Sequence, residues 1–176
     1  MDDVKQVLNA REVITNDLTI LGNATRTGQK FTVNANVGKA GATATVGYVK
    51  AGANTPMVTL AQNATADTFV IPIDVKVGNI ITQVGIHGQI ESGGNTVTID
   101  YALRVQTAAT AGSTDALIQA GTQVSKIADY LVSEHTDLGT PHTVLDGNCY
   151  YVLVTCTTGA TTDIELLNVD VTYTEK

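Results

Sequence analysis

The chain has 176 residues, a formal net charge of −7, 43% hydrophobic residues and only 15% charged ones. That length suits one compact domain with or without an extension, and low charge with ample apolar content excludes a disordered acidic tail. No apolar run approaches the roughly 20 residues of a membrane-spanning helix, and the ten Lys and Arg residues are too scattered to neutralise a nucleic-acid backbone.

The opening segment, residues 1–17, differs from the rest. Met1-Asp2-Asp3-Val4 is not a basic region leading into an apolar stretch, so no cleaved secretory signal is expected. Val4, Val7, Leu8 and Arg11 share a helical stripe, followed by Val13 and Ile14. A helix this short is marginal alone and needs a surface to lie against. We read residues 1–17 as an attachment arm, with Val4, Val7, Leu8, Val13 and Ile14 as its assembly interface.

Residues 18–66 carry few charges and read as short alternating segments. These include Leu18-Thr19-Ile20-Leu21, Phe31–Val37, Ala42–Val49 and Met57–Leu60. Their Ala, Gly and Thr faces permit close backbone approach, as where strands of several chains wind together. The alternative is a small sheet that extends the main domain. Asn23-Ala24-Thr25 and Asn63-Ala64-Thr65 match the glycosylation pattern, but with no secretory route expected they are not read as glycosylation sites.

Residues 67–176 read as a β-sandwich domain. Thr and Val are stiff side chains that suit pleated strands, and sixteen Gly supply turns. Thr68–Ile71 is broken by Pro72. Gly78-Asn79 then turns the chain into Ile80–Ile90, where Val84, Ile86 and Ile90 share one face. After the turn Ser92-Gly93-Gly94-Asn95, the next segment alternates: Val97, Ile99, Tyr101, Leu103 and Val105 point one way, and Thr96, Thr98, Asp100 and Arg104 the other. Residues 115–131 carry both signals. Leu117, Val124, Ile127 and Leu131 fit a helix, but Gly121 in the middle costs about 1 kcal/mol relative to Ala, which favours strands with an irregular crossing. Asp146-Gly147-Asn148 opens an apolar strand through Val154, and a last strand sends Leu167, Val169, Val171 and Tyr173 inward. The whole predicts an all-β protein, an antiparallel jelly-roll-like sandwich with an N-terminal arm and a small β-rich proximal region.

Cys149 and Cys156 lie at the two ends of one strand, roughly 23 Å apart on opposite faces. A disulfide needs Cα atoms within about 7 Å, so both are expected to be free, small core residues. No nucleophile elbow or phosphate loop is present: Gly38-Lys39-Ala40-Gly41-Ala42-Thr43 lacks the required order. His135 and His142, with Asp137 between them, match no recurrent zinc spacing, and His87 is read as a surface or turn residue. Asp74, Glu91, Asp100, Asp163 and Asp170 fall on expected solvent faces or turns with no acid–base pair evident. No catalytic residue, cofactor or metal is expected. Thr-, Asn-, Gln- and Asp-bearing faces offer hydrogen bonds to sugars, but Trp is absent, and most of the six Tyr (48, 101, 130, 150, 151 and 173) alternate inward.

Three segments carry a resemblance. Phe69–Val84, with its apolar strand, valine-glycine turn and Ile81-Thr82-Gln83-Val84 run, is similar to the opening of small β-sandwich domains in tailed-bacteriophage virion proteins. His142–Val154 and Val169–Thr174 resemble the final strands of the same group, so the likeness covers residues 67–174. Asp17–Val37 resembles repeats of phage fibre shafts. The resemblance implies a homotrimeric head-decoration, head-fibre or tail-fibre component, made in the host cytoplasm and resident in the virion. Its partners would be itself and the major capsid protein or another virion protein. The alternative is a carbohydrate-binding host-adsorption module with surface glycans as partner. A small hydrolase is a third reading, since glycosidase carboxylates meet only in three dimensions.

Overall fold

The computed structural model describes residues 26–41, 46–47, 58–60, 66–110, 112–159 and 163–176. The attachment arm with Val4, Val7, Leu8, Val13 and Ile14 lies outside them, as does Tyr48.

Among the described residues twelve strands follow in chain order: β1 (Arg26–Asn34), β2 (Lys39–Ala40), β3 (Val46–Gly47), β4 (Val58–Leu60), β5 (Asp67–Ile73), β6 (Ile80–Glu91), β7 (Val97–Ala109), β8 (Gly112–Ala120), β9 (Val124–Lys126), β10 (Tyr130–Thr143), β11 (Asn148–Thr157) and β12 (Asp163–Glu175). A 3-10 turn, Ala35–Val37, follows β1. Residues 115–131 are the end of strand β8, strand β9, the start of β10 and the two short connectors between them, as the mid-segment glycine argued.

The strands form two antiparallel sheets. The front sheet runs β10-β6-β12-β4-β3, with β1 also on β12; the back sheet runs β2-β5-β11-β7-β8, with β9 also on β7. Numbering β1, β5, β6, β7, β9, β10, β11 and β12 from one to eight, the sheets read 1-8-3-6 and 2-7-4-5. That is the double Greek key of a jelly roll. The described strands of the 18–66 segment are built into both sheets: β1 and β4 pair with β12, and β2 pairs with β5.

Period-two alternation fills the space between the sheets. Val97, Ile99, Tyr101, Leu103 and Val105 of β7 are all buried, as are Val84, Ile86 and Ile90 of β6. They meet Phe69, Ile71, Val152, Val154, Val169 and Val171 in one core cluster. Each buried aliphatic side chain contributes on the order of 2 kcal/mol. Tyr101 also ties the layers together, its hydroxyl lying 2.9 Å from Thr136 Oγ1 of β10.

Three details differ from the sequence reading. Pro72 does not break its strand: β5 runs through it to Ile73. Its neighbour β2 reaches only Phe69 and Val70, so Pro72 stands at the sheet edge, where a missing N–H costs no ladder bond. Leu167 is not in the core, whereas Leu166 is. The register shifts between Leu166 and Asn168, and this bulge exchanges the inward and outward sets of β12. Cys149 is exposed and only Cys156 is buried, both free, because the odd residues at the start of β11 face outward.

Candidate functional site

The bulge at Leu167 shapes the outer face of the front sheet. Ahead of it, Ile164 and Leu166 face the core; behind it, Val169 and Val171 do. Asn168, Asp170 and Thr172 are thereby turned outward. The ladder registers then line up side chains across four strands. Asp170 of β12 stands between Gly85 of β6 and Thr32 of β1, and Gly85 is flanked on its other side by His135 of β10. One rung away are Ser133, His87, Asn168 and Asn34; on the opposite rung are Asp137, Gln83, Thr172 and Lys30.

Gly85 sits at the middle of this face, where a side chain would not fit. A Cβ there would stand 2.5 Å from His135 Cδ2 and 2.7 Å from Asp170 Oδ1. The two side chains lean over the glycine and bury the carboxylate, leaving Asp170 only 3% exposed. Asp170 was expected on a solvent face. It does lie on the outer face, but His87, His135 and Lys30 cover it.

His87 Nε2 lies 2.7 Å from Asp170 Oδ2, and His87 Nδ1 lies 3.3 Å from Ser133 Oγ. A neutral His87 therefore donates from Nε2 to the carboxylate and accepts the Ser133 hydroxyl at Nδ1. His135 Nε2 is 3.3 Å from the same Oδ2, and the two imidazoles meet edge to face at 5.0 Å. Lys30 Nζ lies 3.3 Å from His135 Nε2 and 3.6 Å from Oδ2. Burial raises the Asp170 pKa, but the His87 hydrogen bond and the charges of His135 and Lys30 outweigh it and hold the carboxyl below its usual range. Asp170 Oδ1, turned toward the hollow over Gly85, is buried with no hydrogen-bond partner among the described residues.

The sequence pairing of His135 with His142 is not what the fold makes. His142 lies against Tyr150, 3.3 Å from its hydroxyl, and Asp137 accepts from Gln83 Nε2 at 2.8 Å. His135 instead meets His87 and Asp170, 48 and 35 positions away in the chain. Period-two alternation places each of these on an outer face, but only the strand order makes them neighbours.

Other features among the described residues are less suited to a ligand. On the back sheet Arg104 holds Asp115 through Nη2 at 2.6 Å and Nε at 3.0 Å, and Tyr151 donates to the same carboxylate at 2.5 Å. Cavities of about 280 Å³, beside Ile73, Val77 and Leu145, and 250 Å³, beside Tyr101 and Leu117, fall below the roughly 300 Å³ at which small-molecule pockets begin.

No family model and no curated protein matches the chain. Solved structures do. The CBM36-1 domain of a multidomain xylanase from the hindgut metagenome of Trinervitermes trinervoides superposes with a TM-score of 0.52 at 10% identity, over 81% of this chain and 96% of that one. The CBM22-2 xylan-binding domain of Paenibacillus barcinonensis Xyn10C gives 0.51 at 13% identity, over 81% and 98%. The shared feature is the fold. This chain is a β-sandwich of the kind found in those modules.

Proposed function

We propose that this protein is a non-enzymatic carbohydrate-binding sandwich that takes a glycan across the outer face of its front sheet. The observation that carries the reading is the composition of that face. Four adjacent strands present Asn34, Gln83, His87, Gln89, Asp137 and Asn168 on one face. Planar amide, carboxylate and imidazole groups donate to and accept from sugar hydroxyls, and a sheet holds them rigidly. The sandwiches this chain resembles, a xylanase's CBM36-1 domain and a xylan-binding domain, lend the reading support. Among the described residues no Phe or Tyr ring stands on these rungs, so affinity rests on hydrogen bonds and is modest.

The test is a glycan array followed by affinity electrophoresis in soluble polysaccharides, xylan included. Wild type is retarded by at least one glycan class, and Gln83→Ala with Asn168→Ala abolishes the retardation. Absence of binding across the array, or retardation unchanged in the double variant, overturns the reading.

A virion setting is the second reading, and it leaves the same face free to adsorb to host glycans. It rests on the sequence resemblance to virion proteins, whose segments all fall in or beside the strands: Phe69–Val84 spans β5 into β6, His142–Val154 leads into β11, and Val169–Thr174 lies in β12. Residues 1–17 would anchor a homotrimer to the capsid or tail. Deleting them should leave a folded oligomer that no longer joins particles; a truncated protein that still incorporates removes the arm from the account.

A further inference from the structure

The geometry points to a first-row divalent transition-metal site on the outer face of the front sheet, with His87 Nε2, His135 Nε2 and the Asp170 carboxylate as ligands. It stands on the side-chain arrangement alone and does not require the glycan reading.

No two of the three ligating atoms are more than 4.8 Å apart. Both imidazole Nε2 atoms face one carboxylate, at 2.7 and 3.3 Å. Ligands of a four-coordinate zinc, with bonds of about 2.0–2.2 Å, sit about 3.3 Å from one another. Closing the His87–His135 separation takes only small side-chain rotations. Two nitrogens and one carboxylate suit zinc and its first-row neighbours and are poor for calcium, which takes six or more oxygens.

Two further observations point to a cation here. Asp170 Oδ1 is buried, turned toward the hollow over Gly85, and has no hydrogen-bond partner among the described residues. A bidentate or bridging carboxylate would engage it. The second is Lys30, whose ammonium occupies the gap between His135 Nε2 and Asp170 Oδ2. Its side chain is 52% exposed, so it can swing out to water, and a metal ion would take the position its charge now fills. The proton balance also closes. Metal binding removes the proton from His87 Nε2 to solvent. Nδ1 takes one up and donates it to Ser133 Oγ, already 3.3 Å away, which orients the ring as an outer-shell partner does. Three protein ligands leave at least one coordination position open on the solvent side.

The test uses the full-length protein carrying Cys149→Ser, which removes the exposed thiol as a competing ligand. Zn2+ is titrated by calorimetry while the histidine ring nitrogens are followed by long-range proton–nitrogen NMR. We expect one Zn2+ per chain, with His87 and His135 shifting as Nε2-bound rings in the Nδ1–H form and His142 unmoved. His87→Ala, His135→Ala and Asp170→Asn should each weaken binding by more than about tenfold. Lys30→Met should strengthen it, and Ca2+ should not compete. The NMR readout on otherwise native protein keeps the test decisive if a variant misfolds. Absence of Zn2+ binding, or binding that leaves the His87 and His135 rings unperturbed, overturns the assignment.

Discussion

The missing side chain of Gly85 makes room for the buried carboxylate of Asp170: a Cβ at position 85 would lie 2.7 Å from Asp170 Oδ1. The glycine and the aspartate sit directly opposite each other on β6 and β12. Gly85→Ala should therefore push apart Asp170 and His135, whose Cδ2 is 2.5 Å from the same point. The expected cost is about 1–3 kcal/mol, typical of overpacking, read as a lower urea midpoint at unchanged slope. An alanine variant as stable as wild type would show that the two side chains yield freely.

Tyr101 and Thr136 should prove coupled across the sandwich. Tyr101→Phe removes the 2.9 Å hydroxyl contact and keeps the buried ring. Thr136 Oγ1 still accepts from the Thr122 backbone N–H at 3.0 Å, so the loss should be about 1 kcal/mol. A double-mutant cycle with Thr136→Val measures it, and additive effects would mean the contact contributes nothing.

The two thiols should separate cleanly in reactivity. Cys149 is exposed on the outer face of the back sheet, and Cys156 is buried in the core. Burial, with the charges of Asp100 and Asp67 adding to it, pushes the Cys156 thiol far above its usual range and suppresses thiolate. A disulfide-exchange reagent should modify Cys149 rapidly in the native protein and reach Cys156 only on unfolding. Equal modification rates would contradict the burial of β11.

Stability should fall on mild acidification through His142. Burial holds this imidazole below its ordinary pKa, so the unfolded chain takes up the proton more readily than the folded one. The resulting stability is complete above the unfolded value of about 6.5 and is lost as pH falls below it toward the folded pKa. Urea midpoints for wild type and His142→Gln at about pH 7.5 and pH 5.5 should show a steeper decline in wild type. Parallel declines would place the pH dependence elsewhere.

Much of this architecture was legible in the residues, because alternation is local. Val97 through Val105 declare a half-buried strand by their own spacing, and the glycine at 121 speaks against a helix without reference to any neighbour. The all-β class and the free cysteines followed on the same terms. Which strand lies beside which is decided by long-range pairing. His87 and Asp170 are 83 positions apart, and nothing near either residue identifies the other. The bulge at Leu167 is a property of two strands and not of one, yet it decides that Leu166 and not Leu167 enters the core. The sequence therefore determined that His87, His135 and Asp170 belong to strand faces; only the tertiary structure, by ordering β10, β6 and β12 side by side, made them a single cluster.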